Sequence, residues 1–90
     1  MKEETSMSTA AITVLYFAQV AEITQQRQES WPIANATAVK DWLQEVVARY
    51  PTLAPLKTRL KVAINQYHVN HDAIINPGDE VALFEPDTGG

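Results

Sequence analysis

The sequence contains no cysteine. That removes a disulfide framework, thiolate metal ligation and a cysteine nucleophile together. Long apolar runs are also missing: none approaches the roughly 20 residues needed to cross a bilayer. The opening Met1–Thr9 is polar and acidic, without the apolar core of a secretory signal. A cytoplasmic location and no membrane partner are the expectation. Positive charge is scarce: seven Lys and Arg against eleven Asp and Glu give a net charge of -4. The seven are spread along the chain. With no basic patch in view, nucleic acid is not expected as a partner, and a basic or neutral protein surface is.

What is present fits one domain. At 90 residues, 46% hydrophobic and 20% charged, the chain buries about 60–65% of its unfolded surface, enough for one modest core. Residues 1–10 read as a disordered N-terminal extension, 11–85 as the domain and 86–90 as a flexible C-terminal tail. Ile12–Phe17 is β-branched and aromatic, apolar on both faces as a central strand is. Ala18–Gln28 reads as a hairpin connection, and Glu29–Ile33 as a short strand that Pro32 confines to the sheet edge. The strongest helix signal follows. Thr37 is the expected N-cap, and Val39, Trp42, Leu43, Val46, Val47 and Tyr50 recur on one face. Asp41 and Glu45 belong to the opposite, solvated face. Pro51 ends the helix, because the residue before a proline is pushed out of the α region.

Pro51–Thr58 reads as a connection, Leu60–Asn65 as a third strand and Tyr67–Val69 as its return. Asn76-Pro-Gly-Asp79 carries Pro and Gly where a type II turn needs them, and Glu80–Glu85 is the last strand. This order predicts an α+β roll, a mixed sheet packed on one main helix.

A side-chain active site is hard to find. His68 and His71 are the only histidines, with Asp72 and Asp79 the nearby carboxylates. Exposed turn residues are the simpler reading, and no metal is expected. Ser6, Ser8 and Ser30 have no histidine near them in sequence, no glycine-rich loop cradles phosphates, and Trp31 and Trp42 read as packing. The scarcity of glycine is the informative feature. There are three, and two of them, Gly89 and Gly90, end the chain. At average usage a chain ends Gly-Gly about 0.5% of the time.

The physical reading is a tail. Pro86, Asp87, Thr88, Gly89 and Gly90, fully extended, reach about 17 Å. The glycines lack Cβ atoms, so the end is slim enough to thread a narrow channel. A carboxylate is inert as it stands. Joined to AMP it is an electrophile that accepts sulfur or an amine, and a channel supplies the positioning.

The ordered set Val14–Val20, the Thr37–Tyr50 helix, Val62–Asn65, Pro77–Phe84 and Thr88-Gly89-Gly90 resembles the small subunit of molybdopterin synthase (the MoaD family). The match runs from about Ile12 to Gly90. It implies a ubiquitin-like β-grasp fold and a sulfur carrier. A partner adenylating enzyme of the ubiquitin-activating type uses ATP to adenylate Gly90, and a sulfurtransferase makes the thiocarboxylate. The tail then enters the large subunit and gives its sulfur to cyclic pyranopterin monophosphate, forming the dithiolene of molybdopterin. The resemblance further implies a hetero-oligomer of two small and two large subunits, and no cofactor bound by this chain. It makes the sheet face away from the helix the docking surface, with Phe17 and Phe84, on central strands, as its candidates.

One departure stands out. The family usually carries an apolar stretch before the final Gly-Gly, whereas this chain has Glu85-Pro86-Asp87-Thr88. A buried unpaired carboxylate is costly, so a Lys or Arg of the partner's channel is expected opposite Asp87. Two other readings share the fold: a carrier for another pathway, of the thiamin thiazole type, and a ubiquitin-like protein modifier. A β-grasp interaction module with an inert tail is the blandest.

Overall fold

A computed structural model describes residues 10–86. The expected extension, apart from Ala10, and the last four tail residues lie outside them. Five strands form one sheet in the order β2-β1-β7-β4-β5. They are β1 (Ala11–Tyr16), β2 (Gln28–Pro32), β4 (Lys61–Ile64), β5 (Tyr67–Val69) and β7 (Glu80–Phe84). β1 and β7 run parallel at the centre, and every other pair in this sheet is antiparallel. β2 lies at the edge, as Pro32 predicts.

Alternation along the strands aims Ile12, Val14 and Tyr16 of β1, Val81 and Leu83 of β7 and Val62 of β4 inward. They meet Val39, Trp42, Leu43 and Val46 of α2 (Val39–Arg49), all four completely buried. Their spacing is the single face that the sequence predicts. Trp31 and Trp42 pack edge to face, with ring centroids 5.8 Å apart.

Four elements depart from the sequence reading. Ala18–Thr24 is a helix, α1, and not a hairpin connection. Its seven residues are too few for a periodic signal. It is held by burial of Val20 and Thr24, one turn apart, and by the Val20 N–H donating to the Phe17 carbonyl at 3.0 Å. Thr37 is not the N-cap of α2. It sits in the short strand β3 (Thr37–Ala38), which pairs with β6 (Ile74–Ile75), and its hydroxyl donates to the Asn35 carbonyl. The first free N–H groups of α2 instead find backbone carbonyls: Val39 donates to Ala73 and Lys40 to His71, each at 2.9 Å. A distant segment therefore does what a local side chain is expected to do. The stretch after α2 is a 3₁₀ segment, Pro51–Arg59, anchored by the fully buried Leu53.

The turn before β7 is as expected. Gly78 has φ +93°, a left-handed conformation that favours glycine. Its N–H donates to the Ala11 carbonyl at 2.8 Å, fixing β7 beside β1. The Asp79 carboxylate accepts from Asn65 Nδ2 at 3.0 Å and the Asn76 N–H at 2.8 Å.

At the opposite sheet edge Glu29 of β2 is a clamp. Its Oε1 accepts from Tyr16 Oη (2.7 Å), Tyr50 Oη (2.9 Å) and Gln26 Nε2 (3.0 Å), while Oε2 pairs with Arg49 Nη2 at 3.0 Å. Burial, then donation to Glu29, holds the Tyr16 hydroxyl far above the usual tyrosine range. The same two causes raise Tyr50. Charge-assisted bonds of this kind are about twice as strong as neutral ones.

Candidate functional site

Because β7 is flanked by β1 and β4, the chain leaves the domain from the middle of the sheet and not from an edge. β1 runs parallel to it, so both strands end side by side: the Phe17 N–H donates to the Leu83 carbonyl at 3.2 Å. Phe84 lies opposite Lys61 in the pairing of β7 with β4. Glu85 and Pro86 follow, half-buried. Beyond them come Asp87, Thr88, Gly89 and Gly90, the expected threading and acyl-bearing residues, which lie outside the described residues. Four extended residues add about 14 Å of reach past Pro86.

Around this exit the sheet face turned away from α2 is apolar. Alternation places Leu15 of β1, Ala82 and Phe84 of β7 and Ala63 of β4 on it. Phe17 is not on a strand, as expected, but one residue past β1, where it is the N-cap of α1. It is 47% exposed. Ala18 takes φ 50°, left-handed and costly for a residue with a Cβ, at the turn from β1 into α1. Phe17 packs edge to face on Phe84 with centroids 6.4 Å apart, and Phe84 packs the same way on His68 at 5.3 Å. The two docking candidates are thus brought together beside the tail.

His68 falls in the expected return strand Tyr67–Val69, although the sequence reading gave its side chain no role beyond an exposed turn position. It belongs to β5, and its register opposite Ala63 puts it on the same face. Alternation along β1 and β7 finds Leu15 and Ala82, whereas His68 is placed only by its pairing with Ala63. His71 does not join His68 in a metal site: its Nε2–H donates to the Leu60 carbonyl at 2.8 Å. Asp72 pairs with Lys40 at 3.4 Å. Among the described residues no three His, Asp or Glu side chains gather to hold a metal ion, and no helix is long and apolar enough to cross a membrane.

The seven cations are spread along the chain, and two of them meet near the exit. Arg59 and Lys61 line one groove together with His68, His71 and Pro86. Arg59 closes the 3₁₀ segment and Lys61 opens β4, on either side of the buried Leu60.

A five-stranded mixed sheet with parallel central strands, one main helix and a tail leaving the central strand define a ubiquitin-like β-grasp domain. SAMP1 from Haloferax volcanii has the same fold, with a TM-score of 0.73 and 25% identity over 89% of this chain and 99% of that one. The chain belongs to the ThiS family, whose model matches residues 14–90. It is 37% identical over 81 residues to the molybdopterin synthase sulfur carrier subunit of Haemophilus influenzae, covering 88% of this chain and 99% of the relative. To the subunit of the same name in Homo sapiens it is 33% identical over 82 residues, covering 88% and 93%.

Proposed function

We propose that this chain is the sulfur-carrier small subunit of molybdopterin synthase and that its reacting atom group is the carboxyl of Gly90. The observation that carries the reading is the exit of the tail from the central strand, ringed by the apolar face of Leu15, Phe17, Ala82 and Phe84. Near end-to-end similarity to relatives bearing that name supports it. A tail leaving an edge would pull the docking face away from the partner's channel. From the centre, docking and threading occur along one axis.

The chemistry has two stages. An adenylating enzyme attaches AMP to the Gly90 carboxylate, expelling pyrophosphate from ATP. A sulfurtransferase persulfide then attacks the acyl carbon, AMP leaves as the C–O bond breaks, and a thiol reduces the resulting acyl disulfide with two electrons to release the thiocarboxylate. Its sulfur passes to cyclic pyranopterin monophosphate inside the large subunit. No acid or base is assigned among the described residues. They present the end and seat it, in an assembly of two small and two large subunits.

Intact-mass measurement on chain co-expressed with both enzymes tests the reading. The expected result is a gain equal to one oxygen-for-sulfur exchange, absent when Gly90 is deleted. An unchanged mass with an active adenylating enzyme overturns it. A ladder of conjugates on target proteins in place of the mass gain redirects it to a protein modifier.

A further inference from the structure

The groove at the root of the tail has the opposite charge to the rest of the protein. Removing its two cations, Arg59 and Lys61, from a net charge of -4 leaves -6 for all other residues. Leu60, 2% exposed and in extended backbone, buries its side chain inward. Arg59 and Lys61, on either side of it, are both exposed. His71 is tied to the Leu60 carbonyl through Nε2, so its remaining ring nitrogen, Nδ1, is free of that bond. Pro86, the last described residue of the tail, forms part of the same groove.

The groove is continuous with the apolar face. Lys61 lies opposite Phe84 across the ladder, and His68 both lines the groove and packs on Phe84. An apolar centre with a charged rim is the anatomy of a protein interface. We infer that this groove docks an acidic loop, bearing Asp or Glu side chains, at the channel mouth of the protein that receives the tail. The inference rests on the proposed function, since that protein is taken to be the large subunit. A polyanion such as nucleic acid fits poorly, because the surrounding surface repels it. A rim of this sort governs how fast partners meet more than how slowly they part.

Association kinetics of the full chain with the large subunit, in about 50 mM and about 0.5 M salt, test the inference. The double variant Arg59→Glu/Lys61→Glu is expected to associate about tenfold slower or worse at low salt, with dissociation changed less than about threefold. The gap should close at high salt, where the screening length falls to about 4 Å. Arg27→Glu makes the same change of charge as either single reversal, beside the opposite edge strand β2, and should stay within about twofold of the parent chain. Both reversed positions are exposed, so folding is preserved.

Unchanged association of the double variant overturns the inference and leaves the proposed function standing. So does an equal loss with Arg27→Glu, which makes the effect one of net charge. Saturable binding of inorganic phosphate that Arg59→Glu/Lys61→Glu abolishes, with association rates unaltered, makes the groove a small-anion site and equally overturns the acidic loop. A parent chain that neither binds the large subunit nor gains the thiocarboxylate mass sinks both readings together.

Discussion

The two faces of one sheet are built from alternate residues of the same strands, yet they have different fates. Inward, Val14, Val81 and Leu83 have no exposed surface and meet α2. Outward, their immediate neighbours Leu15, Ala82 and Phe84 are also apolar but remain half-exposed, with Phe17 more open still. Folding uses the first set. Among the described residues no helix covers the second, and its aromatic members gather where the chain leaves. The difference teaches that hydrophobicity on both sides of a strand need not mean burial on both sides.

Truncating each face separates the two roles. Leu83→Ala should cost about 3 kcal/mol of stability through lost transfer energy and the cavity left behind, read as a lower midpoint in urea unfolding. Its neighbour Phe84→Ala should cost only about 1 kcal/mol in the same experiment, since its ring is already half-exposed. In binding to the large subunit the order reverses: Phe84→Ala should lose about 2 kcal/mol, some 30-fold, as a central aromatic anchor does. If Phe84→Ala unfolds the protein as readily as Leu83→Ala, the two faces are equivalent and the comparison collapses.

The inner face was legible in the sequence because its signals are local. The spacing from Val39 to Tyr50 specified the main helix, Pro32 the edge strand, and Pro77-Gly78 the turn into β7. What escaped was decided by distant partners. α1 is a seven-residue helix supported by burial against the sheet and the 3₁₀ segment, and no periodic pattern that short stands out. Thr37 lost the cap to carbonyls of Ala73 and His71, more than thirty residues away. β3 and β6 are two residues each and exist only as a pair. The Gly-Gly end is plain in the sequence and lies outside the described residues. The row Phe17–Phe84–His68 was not legible there, because a three-residue strand gives no alternation from which to orient His68.

At the sheet edge, the Glu29 clamp sharpens the contrast from another side. Tyr16 is inward-facing and polar at its tip, and its hydroxyl is satisfied by the Glu29 carboxylate. Tyr16→Phe should cost about 1.5 kcal/mol, the worth of a hydrogen bond to a charged group. The folded state favours the neutral phenol, raised by burial and then by Glu29. Tyr16 therefore contributes its full stability below the ordinary value of about 10 and loses it as pH climbs from there toward the folded value. Chemical denaturation between about pH 8 and 11 should show a falling alkaline limb, shallower in Tyr16→Phe. An identical limb in both chains would assign the alkaline loss to other groups, Tyr50 first among them.

The smallest effect belongs to the tail. Asp87 puts a carboxylate into a segment that the proposed function threads into a channel, one residue past Pro86 of the basic groove. If the receiving channel supplies a Lys or Arg opposite Asp87, the partner carries both signs: acidic at its mouth for Arg59 and Lys61, basic within for the tail. Asp87→Val should then weaken binding to the large subunit about fivefold at low salt, the upper worth of a partly screened pair. The loss should appear in dissociation, whereas the groove variants slow association. Equal or tighter binding of Asp87→Val at low salt would remove the channel cation. It would leave the acidic tail as an uncompensated cost, which only a partner other than the large subunit explains.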